Sequence, residues 1–489
     1  MSLIKKLAGE TVIYGLSNII SRVLLFIVFT IYLTRKFGKI EYGIYADMYS
    51  YATVILTILI FRMDTALFRY GKKEGMDKVF STTFWTVIGI STIALLIILP
   101  LDNSLAEALT YGDSPHYVRW FIYFLILDAL AAPIFAKLRI ENRPVRFVIL
   151  KFLNIILTAG FILFFIEFLP SNMPNWYDSI TSFFGMKRQV DFVFLTNLLA
   201  SAFVLLFMIP ELRALKFQFD VALFKKMLWY VVPLVFVAIA GNINQAFAAP
   251  LQKYFLGGNI TENISNVAVY AAAAKLAILL NLFTSAFNYA AEPFFFNNAD
   301  NKDSLKIYGK VALAFTIVAC LGALALIFYI DVIILLLGEN YRSGINVVPI
   351  LLFAYIFLGL YYNVSIWYKL KDKTHIGAMI SFAGVSSTIV ISIILLPLTG
   401  AIASAWAALV CYIIMVVIGY VVGQKYYPVA YPVKSILSYI FITFILAVGS
   451  IYLRQIGLPL VYFYTINTLV LSLFSFLLYK REWKDIISQ

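Results

Sequence analysis

Charge is scarce in this chain. Asp, Glu, Lys and Arg make up 13% of its 489 residues, about half the share found in a soluble domain. Polar linkers are missing as well, which excludes the usual division of a chain this long into several water-soluble domains. Cysteine is nearly absent: Cys320 and Cys411 each lie inside an apolar run, so a disulfide scaffold is excluded and packing is their expected role. The two histidines, His116 and His375, are far apart with no ligand set around them, and read as loop or interface residues, not metal ligands. No G-x-x-x-x-G-K-S/T occurs, which excludes a P-loop ATPase within the chain. No H-E-x-x-H, C-x-x-C or paired loop carboxylates occur, and no loop is long enough for a soluble catalytic domain. An enzyme is not expected, and no cofactor is implied.

What is present is apolar length. Hydrophobic residues make up 62% of the chain, in runs of about twenty that are each long enough to cross a hydrocarbon core of about 30 Å. Continuous rather than alternating runs select helices over a barrel. The fold expected is an all-α integral membrane protein of about fourteen spans. The first six lie near 11–34, 43–68, 79–100, 117–136, 147–169 and 191–209. The next six lie near 228–255, 267–291, 310–330, 346–368, 375–396 and 401–423, and two more near 435–453 and 461–479. Lys5 and Lys6 precede the first run, which shows no small-residue cleavage site and is read as a span, not a cleaved signal.

The cations test this topology. With a cytoplasmic N-terminus, 26 of the 38 Lys and Arg fall in cytoplasmic segments, 8 on the other side, and 4 inside spans. That bias predicts both termini in the cytoplasm and an even number of spans. It also accounts for the net charge of +13 without nucleic acid, since no extended soluble basic surface exists. Arg35, Lys36 and Lys39 break the rule after the first span. They read as basic ends reaching for headgroups, with a substrate-phosphate contact as the rival. The loop at 171–190 carries Trp176, Tyr177, Phe183 and Phe184 and is expected to be an interfacial segment.

A faint echo runs through the chain. Ile44-Tyr45-Ala46 opens the second span and Val269-Tyr270-Ala271 opens the eighth, 225 residues later, with Ala66 and Ala291 at the same offset. Six spans separate the copies, so they share orientation. This predicts two six-helix lobes in parallel pseudo-repeat, 1–210 and 211–424, with a central cavity, followed by 425–489 with two spans and a short cytoplasmic tail.

Three stretches carry a resemblance. They are Leu7-Ala8-Gly9-Glu10-Thr11 through Ser21-Arg22 to Phe37-Gly38-x-x-Glu41-Tyr42-Gly43; Asp64-Thr65-Ala66-Leu67-Phe68-Arg69-Tyr70; and Tyr270-x-x-x-x-Lys275-Leu276 through Ala286-Phe287 to Ala291-Glu292-Pro293-Phe294. In these the chain resembles the polysaccharide (O-antigen type) flippases of the multidrug/oligosaccharidyl-lipid/polysaccharide exporter superfamily. The resemblance implies a transporter in the bacterial cytoplasmic membrane. It would move undecaprenyl-pyrophosphate-linked oligosaccharide from the inner to the outer leaflet by alternating access between lobes.

Ionisable residues inside spans cost about 2.5–3.5 kcal/mol on insertion scales and mark a pathway or a pair. Arg22 lies eleven residues into the first span, about 17 Å deep at 1.5 Å per residue. Asp128 is similarly deep in the fourth span, and Lys275 is about 12 Å from the outer end of the eighth. Arg62 and Asp64 lie near the inner end of the second span, and Asp47 near its outer end. One reading has Arg22, Arg62 and Lys275 facing the cavity and drawing in a pyrophosphate, for which the planar fork of Arg is well shaped. Asp64 and Asp128 would tune that field or bind a coupling proton or sodium ion. The other reading is interhelical pairing, for example Arg22 with Asp128. The four span cations, Arg119 included, face Asp47, Asp64 and Asp128. Asn242, Asn244 and Gln245, beside Gly241, form a polar patch in the seventh span that meets sugar hydroxyls or bonds across to another helix. Pro233 and Pro293 are kink sites, either hinges or static bends.

Three rivals remain. A lipid II flippase shares the helix count and the anionic lipid cargo. A cation-coupled drug antiporter commonly uses an acidic residue in the early helices of a lobe, whereas the interior of the first span holds only Arg22. A membrane glycosyltransferase would need a larger outer loop or a catalytic carboxylate segment.

Overall fold

The computed structural model describes residues 23–483 except 25, 214, 298–302 and 372. Every regular element among them is helical. Lipid offers backbone amides and carbonyls no partner, and a continuous apolar run satisfies them within one helix. Thirteen helical stretches are long and apolar enough to cross a membrane, and they fall on the second to fourteenth expected spans. Of the first span only the part from Val23 is described, helical to its end at Lys36. Arg22 lies outside the described residues.

The second span consists of α1 (Lys39–Ile60) and α2 (Met63–Glu74). The third to fifth are α3 (Met76–Ile98), α4 (His116–Ile140) and α5 (Pro144–Leu163). A shorter α6 (Pro174–Phe184) occupies the 171–190 loop, and the sixth and seventh spans are α7 (Gln189–Phe207) and α8 (Val221–Ala246). The rest are α9 (Ile260–Asn297), α10 (Ser304–Phe328), α11 (Val347–Val364), α12 (Thr374–Thr399), α13 (Ile402–Tyr426), α14 (Val433–Gln455) and α15 (Leu460–Leu478).

Contacts divide the chain into two compact units. Unit 1 is Met1–Pro250 with Asn259–Ile264; unit 2 is Leu251–Gly258 with Ser265–Gln489. The division falls after α8, not at the 210/211 boundary expected from the repeat. The cause is that α8 packs along α1 and α2, where Asn242 bonds across to α1.

Unit 1 is organised around α4, which packs against α1, α2, α3 and α7. Buried residues recur around the whole circumference of α4, the pattern of a helix enclosed by its neighbours. Rings fill the space beside it: Phe121 stands 5.4 Å from Tyr49, 4.9 Å from Phe124 and 4.8 Å from Phe194, centroid to centroid. Gly43 is required on α1, because a Cβ there would run into the main-chain carbonyl of Ile264. Small residues at such crossings let two backbones approach and gain dispersion contact where lipid offers no hydrophobic drive.

Unit 2 has α11 packed against α10 and α13, with α13 against α12. Its core includes Ala354, Leu358, Tyr361, Ile380, Cys411 and Met415. Gly359 leaves room for the Phe315 ring, which a Cβ would strike. Cys320 and Cys411 are buried free thiols. The outer faces of both units are apolar: Trp229 is 84% exposed, Leu96 71% and Val461 75%. Water would not tolerate such faces along so many helices; lipid tails do. On α6, Trp176 and Phe183 are 67% and 81% exposed, while Tyr177 stacks on Phe192.

Candidate functional site

The second span is not the single rod its hydropathy predicts. The Phe61 amide closes α1 on the Thr57 carbonyl at 3.0 Å, and the Arg62 carbonyl then accepts the amides of Thr65 and Ala66 at 3.0 and 3.2 Å. Between these turns Phe61 and Arg62 both have left-handed backbones, φ 51° and 53°. Each such non-glycine residue costs about 1–3 kcal/mol and persists only where its surroundings impose it. Arg62 is exposed at this break, and among the described residues no carboxylate lies within ion-pair distance of it. Asp64 follows in the first turn of α2, where the helix dipole favours a negative charge. Its described side-chain contact is a long one, 3.5 Å, to the Thr65 hydroxyl.

Asp128 lies twelve residues into α4 and accepts a 2.7 Å hydrogen bond from Ser201 Oγ on α7. Lys151 of α5 faces it electrostatically. Lys151 lies within the expected fifth span, on the helical stretch Pro144–Asn172, with its ammonium 4.3 Å from the Phe135 ring centre. Any pairing of Asp128 with Arg22 lies outside the described residues.

The other span charges in unit 1 are tied down. Asp47 is fully buried and accepts the Tyr111 hydroxyl at 2.7 Å. Arg119, counted above among the span cations, closes on Asp102 at 2.7 Å. Lys36 pairs with Glu167 at 3.0 Å, and Tyr32 donates to the same carboxylate at 2.7 Å. The polar patch on α8 divides: Asn242 Nδ2 donates to the Thr53 carbonyl at 3.1 Å and to Thr57 Oγ1 at 2.6 Å. Asn244 is also engaged, and Gln245 is exposed. Asn242 therefore clamps α8 to α1 one turn before the break.

Lys275 stands apart. It is half-buried on α9, and among the described residues no hydrogen bond, carboxylate or aromatic ring engages its ammonium. Further along α9, Glu292 is bound by Lys369 at 2.8 Å. Unit 2 also holds a feature that the sequence reading missed, an apolar cavity of about 920 Å³ bordered by Phe353, Phe357, Trp406, Phe441 and Phe444. Arg454, another of its lining residues, is fixed by Asp331 at 2.5 Å. The aromatic run in the thirteenth span was the only available sign of it. Within unit 2, Lys275 offers an uncompensated ammonium and the cavity an apolar lining, chemistry that suits an amphiphile with an anionic head.

No protein-family model matches the chain, and no curated protein matches it. Solved structures do. The chain is similar to the lipid II flippase MurJ in an inward closed conformation, with TM-score 0.67 and 17% identity, covering 96% of this chain and 99% of that one. It is also similar to a multidrug resistance MATE family transporter of the MOP superfamily in its inward-facing conformation, with TM-score 0.59, 14% identity and coverage of 82% and 93%. A Vibrio cholerae MATE transporter, VcmN in its bent form, gives TM-score 0.57 at 14% identity, with coverage of 90% and 98%. At these identities the likeness establishes the fold.

Proposed function

We propose that this chain is a flippase of the bacterial cytoplasmic membrane for polyprenyl-pyrophosphate-linked oligosaccharide, an O-antigen or capsule repeat unit. It carries the cargo from the cytoplasmic to the outer leaflet by alternating access, with both termini cytoplasmic. The observation that carries the reading is Lys275, an intramembrane ammonium left unpaired among the described residues. A lone cation at that depth is unfavourable unless an anion visits it. A pyrophosphate is such an anion, and its charge-assisted hydrogen bonds are among the strong ones. Arg62, exposed at the helix break of unit 1, is a separate candidate for a bidentate contact with an anionic head, with Asp64 two residues away. The polyprenyl chain needs apolar surface, and the cavity beside Phe353 and Phe441 offers it.

A second reading has the same carrier chemistry and a different head: a lipid II flippase. The similarity of fold to MurJ over nearly the whole chain favours it. The two are separated by deleting the gene and identifying, by mass spectrometry, the polyprenyl-linked glycan that accumulates on the inner leaflet. A repeat-unit oligosaccharide supports the first reading; lipid II supports the second; no accumulating lipid-linked glycan refutes both.

A further inference from the structure

We propose that α6 (Pro174–Phe184) is a membrane-docking helix whose partner is the headgroup–acyl boundary of the outer leaflet, bound without selection for anionic lipid. The side named rests on the topology of the proposed function; the docking itself is independent of any cargo.

The sequence divides α6 into two stripes. Trp176, Tyr177, Ile180, Phe183 and Phe184 recur at spacings of three and four, and so do Asn175, Asp178, Ser179 and Ser182. An apolar stripe therefore runs opposite a polar one. The protein uses one edge of the apolar stripe. Tyr177 stacks on Phe192 of α7 with ring centroids 5.3 Å apart, and Phe184 meets Trp120 of α4 at 5.6 Å. The other edge, Trp176 and Phe183, is left exposed.

These contacts fix how α6 lies in unit 1. Phe192 is three residues into α7 and Trp120 four residues into α4, each about 5 Å, or one turn, below the outer end of its span. Tyr177 near the start of α6 and Phe184 at its end thus sit at one level, so the helix crosses the span ends instead of rising away from them. Gly185, left-handed at φ 65°, then stops it. The returning chain is pinned by Asp191, whose carboxylate accepts the Lys187 and Arg188 amides at 2.8 and 3.2 Å. Amphipathic helices ride with their apolar face about 5–10 Å into the headgroup–acyl boundary, a level that Trp and Tyr favour.

What covers the exposed edge follows from the chain that leads to it. Leu163, Phe164 and Phe168 are exposed on the span Pro144–Asn172, where lipid covers them, and exposed Met173 carries the same band on to Trp176. The free edge of α6 prolongs a face already in lipid. No Lys or Arg occurs between Pro174 and Phe184, and Lys187 and Arg188 beyond it share Asp113 at 3.9 and 3.5 Å. Docking is therefore apolar and aromatic, with no cation of α6 to seek an anionic headgroup.

The test places a nitroxide at Phe183→Cys and, on the polar stripe, at Ser179→Cys in the full chain, in phosphatidylethanolamine–phosphatidylglycerol vesicles. Cys320 and Cys411 are buried, and the wild type serves as the unlabelled blank. The ratio of collisions with oxygen to collisions with a nickel chelate should be severalfold higher at 183 than at 179. It should not change in phosphatidylcholine alone or in high salt. Trp176→Cys should repeat the result if Phe183→Cys does not reach the membrane. Equal ratios, or a ratio that collapses without phosphatidylglycerol, overturn the proposal. So does a 183–183 disulfide dimer at low protein density, which makes a second copy the occupant. A membrane-impermeant maleimide should label Ser179→Cys in spheroplasts. Labelling only after lysis overturns the outer-leaflet placement together with the proposed topology, and the collision ratio separates that failure from a failure of docking.

Discussion

The two units differ in where they leave a cation unpaired. Unit 1 pairs Arg119 with Asp102 at 2.7 Å, Arg146 with Glu211 at 2.9 Å and Lys78 with Asp220 at 2.6 Å, and its unpaired Arg62 is exposed at a helix break. Unit 2 leaves the half-buried Lys275 ammonium unengaged among its described residues and carries a cavity of about 920 Å³ beside aromatic side chains. Pairing fixes a helix in place, while an unpaired group waits for a partner from outside the chain. Under the proposed function, that difference makes Lys275 of unit 2 the expected seat of the cargo's anionic head.

The strongest way to break that comparison is to remove one cation from each. Lys275→Ala should reduce export about tenfold or more, the loss of a hydrogen bond to a charged group. Lys275→Arg should recover part of it. Arg119→Ala should leave export within about twofold, since a half-exposed ion pair contributes about 0–1 kcal/mol. Surface-glycan yield at matched membrane protein level measures both, and equal losses would erase the distinction between the units.

Packing offers the next contrast. Gly43 in unit 1 faces a main-chain carbonyl and Gly359 in unit 2 faces the Phe315 ring. Backbone cannot step aside, but a ring can be shortened. Gly43→Ala and Gly359→Ala should each destabilise by about 1–3 kcal/mol. Phe315→Leu should rescue only Gly359→Ala, as read by thermal unfolding in detergent.

The spans themselves were legible because lipid leaves the backbone one solution, and thirteen of the expected runs coincide with helices. The break at Phe61 and Arg62 was not, since hydropathy is blind to φ and neither residue is the glycine that normally signals a left-handed turn. Lys275 was found from its depth and from the stretch that carries the resemblance. Its isolation, which is what makes it a candidate, depends on residues distant in sequence. Asn242 was read as open between sugar and helix, and its partners Thr53 and Thr57 lie nearly two hundred residues away.

That break permits a smaller test of how rigid unit 1 is. Arg62→Gly places the residue that tolerates φ 53° where the chain already adopts it. It should stabilise the fold by about 0.5–1 kcal/mol while weakening export through loss of the guanidinium. A fall in the unfolding temperature would mean that Arg62 holds unit 1 together and belongs with the paired charges.

The smallest effect concerns pH. Asp220 caps α8, where the Leu223 amide donates to its carboxylate at 2.8 Å and the Lys78 ammonium lies at 2.6 Å. The amide first, and then the ammonium, hold this carboxyl below its ordinary range. A depressed acid contributes its full stabilisation above the unfolded-state value of about 3.9 and loses it as pH falls through the lower folded value. Exchange of the amides at 221–225, each rate divided by the intrinsic rate at that pH and followed by mass spectrometry, should therefore be flat above about pH 5 and rise in stronger acid. Asp220→Asn should abolish that rise, because asparagine still caps but does not titrate. Added salt should mimic part of the acid effect, since the Lys78 side chain is 39% exposed and its pair is screened. In unit 2, Arg454 at the border of the apolar cavity pairs with Asp331, and amides at 440–450 should stay protected across the same range. Fraying there in parallel with α8 would mean that unit 2, like unit 1, is held by its charges.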